Sequence, residues 1–335
     1  MTDKRNVYLD IIRAFACIGV VIFHYTQRFE ELYHLTPDWR IRFTHGRMVV
    51  AVFFILSGYL SVVKDKRGIS PLSYVKNKVL RLYPTYWVCV VLTFAFTSLF
   101  LKDRAVSVSD MLVDLTMLQS FVGAGMVDGA YWTLANELVF YVFILLTVVI
   151  LKKYNKLPVF FMFWLIILFA VSLFKDDMPF LEKFEKFIAC PYAHMFIAGS
   201  CIHFVQSDLK VNRVFSVVDM ALSVLYQFVM FERVQAFFFV FATVLTALCV
   251  YADKKHFKIN KNAAFIVRML CFVASLSYPM YLLHQNLGYI IMKALIDKGF
   301  GSELIIFVPM IVIGTVSYVI HIFVEKRFIH GLGLV

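Results

Sequence analysis

The chain has 335 residues, of which 61% are hydrophobic and only 16% are charged, and its mean hydropathy is +0.79. Soluble globular domains are roughly 45–50% apolar and about 25% charged, so this composition excludes a soluble protein and indicates a polytopic membrane protein. The net charge of +11 is explained by basic loops that face anionic lipid, and it gives no reason to expect nucleic-acid binding.

Apolar segments of about 20 residues, the length needed to cross the bilayer hydrocarbon, follow one another along almost the whole chain. We predict an all-α fold with about ten transmembrane helices, forming a single membrane domain over residues 1–335 with no appended soluble domain. The second predicted span is short, and the seventh contains Asp219. The predicted spans are 8–27, 48–63, 82–101, 132–151, 157–174, 187–207, 214–231, 234–252, 269–292 and 304–324.

Lys and Arg residues outside the spans are divided unevenly between the two sides of the membrane. If the amino terminus is cytoplasmic, 20 of them fall in cytoplasmic segments and 12 in external segments. Because basic residues in short loops are retained in the cytoplasm, both termini are predicted to be cytoplasmic.

Two ionisable side chains, Arg13 and His24, interrupt the first span. An ionisable residue inside a span is a functional hypothesis by default, because hydrocarbon disfavours charge. Their spacing is about three helical turns, so both side chains lie on one face, roughly 16 Å apart along the axis. Asp10 lies on the same side as Arg13 and is a candidate partner for it. The alternative is a salt bridge that only orients the helix.

Glu137 stands in the otherwise apolar fourth span, with Tyr141 one turn later on the same face. A carboxylate in hydrocarbon must be buried in protein, paired or hydrated. It is a candidate for orienting His24, as a carboxylate orients imidazole in hydrolytic triads. Pairing with Arg or Lys for structure alone is the alternative.

A polar face runs along the ninth predicted span, where Ser277, Tyr281, His284 and Gly288 follow helical spacing. This face is expected to line the protein interior or a cavity. His284 is a candidate second site residue that contacts substrate, and a hydrogen-bonded core histidine is the alternative.

Ser57 and Gly58 suggest a nucleophile and an oxyanion feature, but the Gly-x-Ser-x-Gly elbow of such sites is absent from the sequence. Close packing of helices explains the small residues better. Tyr59 remains a candidate for lining the site. The six cysteines fall in apolar spans as core residues, and the other histidines lack metal-binding spacing, so no catalytic metal is expected.

Five segments together resemble, in order, the motifs of the acyltransferase-3 family of integral membrane acyltransferases, and the resemblance covers essentially the whole chain. The segments are YLDIIRAFACIGVVIFH (8–24), FFILSGYL (53–60), NKVLRLYPTYW (77–87), YWTLANELVFY (131–141) and SYPMYLLH (277–284).

This resemblance implies transfer of an acyl group, usually acetyl, from cytoplasmic acetyl-CoA to a sugar hydroxyl of a surface polysaccharide or its lipid-linked precursor. The family's Arg-x10-His pair corresponds to Arg13 and His24. Its Arg-x-x-Arg element appears as Lys78 and Arg81, and Lys lacks the bidentate fork of Arg. Arg13, Lys78 and Arg81 are therefore expected to bind acetyl-CoA.

Trp132, Tyr141 and Tyr281 are further candidates for lining the site. Membrane lipid, a saccharide acceptor and polysaccharide-synthesis proteins are the expected partners, and the inner (plasma) membrane is the expected location. Pro84 is expected to break or start a helix, which would place the basic element on a cytoplasmic amphipathic segment.

The residues themselves are consistent with acyl transfer. A sugar hydroxyl is a poor nucleophile, and an imidazole with a pKa near neutrality suits the role of general base, which His24 would fill. An imidazole that carries the acyl group covalently is the alternative. Arg13 suits a CoA phosphate or the orientation of a carboxylate.

Other classes of protein also use ionisable residues inside the membrane. A proton-coupled transporter or a flippase of a sugar-linked lipid is one alternative, although the inverted repeats common in carriers are not evident in this sequence. A noncatalytic partner of a polysaccharide synthase is another. If the protein is an enzyme, loop 28–47 is expected to contact the acceptor, and connector 102–131 either admits the acceptor or only joins two spans.

Overall fold

The computed structural model describes residues 6–35, 37, 41–63, 70–185, 190–257 and 263–330. Every regular element in these ranges is a helix, as predicted. The α-helices are α1 (Val7–Phe23), α2 (Phe29–Tyr33), α3 (Gly46–Val63), α4 (Pro71–Phe100), α5 (Val108–Asp114), α6 (Gln119–Val122), α7 (Trp132–Ile144), α8 (Leu157–Phe174), α9 (Pro179–Phe184), α10 (Ala193–Phe204), α11 (Lys210–Met230), α12 (Arg233–Lys254), α13 (Ala264–Asp297), α14 (Ser302–Ile320) and α15 (Lys326–His330).

The described ranges contain nine helical segments that are long and apolar enough to cross a membrane. These correspond to nine of the ten predicted spans and confirm an all-α polytopic membrane protein. The remaining predicted span, 187–207, begins outside the described residues. Its described part forms α10, a shorter apolar helix of 12 residues. The cytoplasmic placement of both termini stays a prediction.

The prediction for Pro84 is wrong. Helix α4 runs without interruption from Pro71 to Phe100 with Pro84 inside it, and α13 contains Pro279 in the same way. Proline is tolerated inside transmembrane helices when neighbouring groups satisfy the carbonyls that it frees. Lys78 and Arg81 therefore belong to the same continuous helix as the third span.

The chain forms two compact units. Unit 1 comprises Met1–Val50, Asn77–Thr133 and Phe257–Val335, and unit 2 comprises Ala51–Lys76 and Leu134–His256. In unit 1, α13 packs against both α1 and α14. The prediction of a single membrane domain stays a prediction.

In unit 2, α10 packs against α8, α11 and α12 and crosses α3 at very close range. A Cβ on Gly58 would lie 1.9 Å from the Phe196 carbonyl oxygen, and one on Gly199 would lie 1.9 Å from the Ile55 carbonyl oxygen. Only glycine permits this approach of two backbones. The packing interpretation of Gly58 is confirmed.

Candidate functional site

His24 lies where the first span changes its helical pitch. It follows α1 and begins a five-residue π-helical turn, His24–Arg28, in which the Phe29 N–H reaches back to the His24 carbonyl. Such turns are rare and recur at functional sites. The sequence predicts an uninterrupted helix here, and no residue in the turn signals the change.

The His24 ring packs between α1 and α13 in unit 1. Its Nδ1 lies 3.2 Å from the hydroxyl oxygen of Tyr289. Its ring meets the ring of His284 nearly at right angles, with 4.7 Å between centroids. The structure therefore brings His284 beside His24, and it adds Tyr289, which the motifs did not reveal, as a candidate site residue.

The fully buried His284 has a defined hydrogen-bonding role. Its Nδ1 lies 2.7 Å from the Tyr281 carbonyl oxygen. Because a carbonyl only accepts, Nδ1 carries the proton and donates it, and Nε2 of the neutral ring holds a lone pair. Within the described residues, Nε2 has no hydrogen-bond partner. His284 thus offers an acceptor beside His24.

The polar face of α13 lies in the interior of unit 1, as predicted. Ser277 is buried and donates to the Ala274 carbonyl of its own helix. Gly288 makes room for Tyr25, since a Cβ there would lie 2.4 Å from the tyrosine ring. The absence of a side chain at Gly288 therefore lets the residue next to His24 enter the α1–α13 interface.

Connector 102–131 is attached to the middle of α13. The Asn286 N–H donates to Asp128 Oδ2 at 2.9 Å, and the Leu282 carbonyl accepts from the Tyr131 hydroxyl at 3.0 Å. An α-helix would pair these two backbone groups with each other. The connector thus supplies partners to the turn of α13 that carries His284.

Further contacts hold this attachment. Asn286 Nδ2 donates to the Val127 carbonyl at 2.8 Å, and Arg104 Nε donates to Asn286 Oδ1 at 2.8 Å. Tyr281 donates to the Ala130 carbonyl at 3.1 Å. The sequence left the role of this connector open, and an Asn in a hydrophobic helix was the one signal of a polar partner.

Aromatic and basic side chains surround the site on the side of loop 28–47. The rings of Phe29 and Tyr33 lie 5.4 and 5.7 Å from the ring of Tyr289. Lys293 Nζ lies 3.8 Å from the centre of the Tyr33 ring. Glu31 binds the guanidinium group of Arg28 at 2.8 Å. Part of the loop, residues 36 and 38–40, lies outside the described residues.

On the predicted donor side, Arg13 pairs with Asp10 as the spacing indicated. Arg13 Nη1 lies 3.5 Å from Asp10 Oδ1, and the Arg13 side chain is 24% exposed. Lys78 is half-buried and Arg81 is exposed on α4. Trp132, at the start of α7, is half-buried. Their roles in binding acetyl-CoA or lining the site stay predictions.

Glu137 forms a hydroxyl-rich cluster in unit 2. Its Oε1 accepts from Ser57 Oγ at 2.5 Å and from the Tyr141 hydroxyl, and these two hydroxyls are 3.2 Å apart. Tyr59 is buried in the same unit. The structure thus joins Ser57, Glu137 and Tyr141 into one cluster. His24 belongs to unit 1, so its orientation by Glu137 stays a prediction.

Metal ligands are not clustered in the part of the chain that the structure describes, where no group of three or more His, Cys, Asp or Glu side chains could hold an ion. Four of the six cysteines are buried, and Cys249 and Cys271 are half-buried.

Comparison with known proteins gives a family match over most of the chain. The model of the acyltransferase-3 family, described as an acyltransferase domain, matches residues 6–323. The chain is 28% identical to the exopolysaccharide production protein ExoZ of Rhizobium meliloti (strain 1021) over 119 residues, which cover 33% of this chain and 37% of ExoZ.

It is 36% identical to the O-acetyltransferase OatA of Staphylococcus aureus (strain NCTC 8325 / PS 47) over 94 residues, which cover 26% of this chain and 13% of OatA. The alignments thus span well under half of either relative. No solved structure matches the chain.

Proposed function

The chain belongs to the acyltransferase-3 family, and from this membership we propose that it is a multi-pass enzyme of the inner membrane that transfers an acetyl group from acetyl-CoA to a saccharide hydroxyl. The observation that carries the proposal is the placement of His24 against Tyr289 and His284 in the interior of unit 1. Family membership favours acyl transfer over the transporter and flippase alternatives.

In this proposal His24 acts as the general base. A neutral imidazole whose Nδ1–H donates to the Tyr289 oxygen keeps the lone pair on Nε2 and can accept the proton of a sugar hydroxyl there. The hydroxyl oxygen then attacks the thioester carbon. Covalent transfer through the imidazole is the second route open to the same ring.

Positive charge near His24 supports this chemistry. Arg28, Arg47 and Arg104 all lie close enough for their charges to act on the His24 ring. Attack on a thioester builds negative charge on the carbonyl oxygen, and preorganised positive groups stabilise that charge in a site with little water.

A saccharide acceptor suits the side of loop 28–47. The aromatic rings of Phe29, Tyr33 and Tyr289 offer apolar faces, and the neighbouring Arg and Lys side chains donate hydrogen bonds. The names of the relatives include exopolysaccharide production and O-acetyl transfer. We propose a polysaccharide or its lipid-linked precursor as the acceptor, with polysaccharide-synthesis proteins as partners.

We assign acetyl-CoA to the other end of the first span. Arg13 lies about 16 Å along the axis from His24, and Lys78 and Arg81 are one turn apart on α4. Guanidinium and ammonium groups bind phosphates, which CoA carries. With both termini cytoplasmic, this end would face the cytoplasm, where acetyl-CoA is available.

The function is tested with purified full-length protein in detergent, supplied with acetyl-CoA and either cellotetraose or chitotetraose. We expect release of the CoA thiol to depend on protein and saccharide together, with one added acetyl group on the sugar by mass spectrometry. If neither acceptor is acetylated, the assay is repeated with lipid-linked saccharides extracted from the host as acceptors. Absence of acetylation there as well would contradict the proposal.

A further inference from the structure

Helix α11 in unit 2 buries its polar side chains and exposes its apolar ones, the reverse of an amphipathic helix in a soluble protein. All of its buried residues carry polar side chains, and those from Asn212 to Tyr226 recur every three or four positions. They are Asn212, Ser216, Asp219, Ser223, Tyr226 and Gln227. The side chains on its outer face, such as Val214, Val218 and Leu225, are apolar and exposed. A helix of this kind faces lipid with its apolar side and holds polar groups inside the protein.

Several of these buried groups lack partners. Within the described residues, Asn212 Oδ1, both carboxyl oxygens of Asp219 and Ser223 Oγ have no hydrogen-bond partner, and Ser216 Oγ faces the Cys201 thiol. Asp219 is 0% exposed. An unpaired polar group in an apolar interior destabilises the fold, and an unpaired carboxylate does so more strongly. A regular row of such groups therefore implies that something polar joins them.

The spacing suits a chain of water molecules. Successive members from Asn212 to Tyr226 are three or four residues apart, or about 4.5–6 Å along the axis, and Gln227 lies four residues after Ser223. One water molecule that bonds to two groups spans about 5.6 Å. The row extends about 22 Å, which is most of the bilayer hydrocarbon. At its far end, Gln227 Oε1 lies 2.6 Å from His194 Nε2.

The helices packed against α11 add few charges to the row. The α10 helix contributes Cys201, whose thiol faces Asp219 and Ser216, together with His194. After α8, Glu185 is paired with Lys175 at 3.1 Å and also accepts from Ser172. On α12, the buried Thr243 and Thr246 donate to carbonyls of their own helix. Asp219 and His194 are therefore the titratable groups of the row that are suited to carry a proton.

We infer that the buried row on α11 is a hydrated proton path along unit 2, with Asp219 as its central proton carrier. The inference rests on the proposed function, because a reaction that releases its proton on the acceptor side and CoA thiolate on the donor side separates charge across the membrane. The acyl carbon–sulfur bond breaks and an acyl carbon–oxygen bond forms. His24 takes the proton of the sugar hydroxyl and releases it on the acceptor side, while CoA leaves toward the cytoplasm as the thiolate and gains a proton there.

Without an internal route, each turnover would leave one proton outside and take one from inside, and the resulting membrane potential would slow later turnovers. A proton that returns along α11 makes the reaction electrically neutral. Enzymes turn over at a median of about 10 per second, so the path needs to carry only about that many protons and would not act as an open channel.

Sealed vesicles of the full chain test this directly. A potassium diffusion potential drives protons inward, and a pH-sensitive dye inside the vesicles reports the flux. We expect wild-type vesicles to take up protons at least fivefold faster than Asp219→Asn vesicles. The control Asp177→Asn, at an exposed carboxyl of unit 2, should behave as wild type. Equal proton flux in wild type and Asp219→Asn, or in wild type and empty vesicles, would overturn the path.

The same vesicles link the path to acyl transfer, with acetyl-CoA outside and the acceptor saccharide inside. Wild-type CoA release should change less than twofold when a protonophore is added. CoA release by Asp219→Asn should be at least tenfold slower than wild type in sealed vesicles. It should recover when the protonophore is added, and it should equal the wild-type rate in detergent. Wild-type CoA release that rises severalfold with the protonophore would overturn the path. This outcome is measured on wild type alone, so it holds even if Asp219→Asn does not fold. If wild type transfers no acyl group in detergent, the proposed function is refuted. The proton path would still be tested by the flux measurement, because that measurement needs no acyl donor.

Discussion

The Nδ1 atom of His24 lies 3.2 Å from the hydroxyl oxygen of Tyr289, and this contact joins the first span to α13 at the proposed site of acyl transfer. If His24 is the base, Nδ1–H must donate to Tyr289 so that Nε2 keeps its lone pair. The contact therefore selects the tautomer on which the mechanism depends.

Replacing Tyr289 with Phe removes the acceptor for Nδ1–H while keeping the ring. Partners that orient a metal-bound imidazole contribute about 10–100-fold to activity. We expect the partner of His24 to contribute on the same scale, so that kcat falls within that range and KM for acetyl-CoA stays unchanged. The control is Tyr278→Phe, which removes another hydroxyl of α13, the one bonded to the Leu82 carbonyl. Equal loss in both variants would assign Tyr289 a merely structural role.

Gly288→Ala tests the packing of α1 on α13. The new Cβ would meet the Tyr25 ring at 2.4 Å, and overpacking of this kind costs about 1–3 kcal/mol. We expect a lower melting temperature in detergent and reduced acyl transfer, because Tyr25 directly follows His24. Gly314→Ala, where no atom lies within 4 Å of the new Cβ, should leave both unchanged. Wild-type behaviour of Gly288→Ala would show that the interface is loosely packed.

The ninth span shows what the sequence could and could not predict. Helical spacing placed Ser277, Tyr281, His284 and Gly288 on one face, and that face is indeed interior. The spacing within a single helix does not reveal which other helix covers that face. Tyr289, one position beyond this face, therefore became a candidate only when α1 was seen packed on α13.

The first span likewise contains one feature that the sequence predicts and one that it does not. The pair of Asp10 and Arg13 follows from a spacing of three residues on a regular helix. The π-helical turn at His24 depends on tertiary packing and leaves no local signature. Likewise, α4 continues through Pro84, and the Tyr278 hydroxyl of α13 donates to the nearby Leu82 carbonyl. A partner on another helix of this kind cannot be read from the sequence around the proline.

Two buried carboxyls in connector 102–131 should make stability depend on pH. Burial raises the pKa of Asp128 to about 6, although hydrogen bonds from the Ala130 and Asn286 N–H groups act in the opposite direction. Burial also raises the pKa of Asp114 to about 6. The folded state thus holds protons that the unfolded chain, with an Asp pKa of about 3.9, has already released.

The stabilisation from these protons is fully present below about pH 4 and is lost as the pH rises to about 6. Each carboxyl changes the free energy of unfolding by on the order of 3 kcal/mol across this pH range. We expect the melting temperature in detergent to fall from pH 4 to pH 6, and the fall to be smaller in Asp128→Asn. Asp110→Asn should keep the wild-type trend, because hydrogen bonds lower the pKa of that half-buried carboxyl. A melting temperature that rises over this range in wild type, and equally in Asp128→Asn, would contradict the prediction.

Glu137→Gln tests whether the hydroxyl cluster of unit 2 serves catalysis through its charge. The amide oxygen can still accept from Ser57 and Tyr141, so the fold should be kept. We expect acyl transfer to fall about 100-fold if the carboxylate charge assists the base. In Ser57→Ala, which removes one hydrogen-bond donor and keeps the carboxylate charge, acyl transfer should fall less than tenfold. Full activity in Glu137→Gln would remove Glu137 from the proposed mechanism.

The most direct test of the account is CoA release from acetyl-CoA by purified His24→Ala, with the acceptor that supports the wild-type reaction. Loss of a general base costs about 100- to 10,000-fold, so we predict a fall in that range with an unchanged melting temperature. His34→Asn is the matched control, since His34 is exposed and its left-handed backbone (φ of 53°) suits Asn; it should keep wild-type activity. CoA release and saccharide acetylation at the wild-type rate in folded His24→Ala would contradict the proposed role of His24.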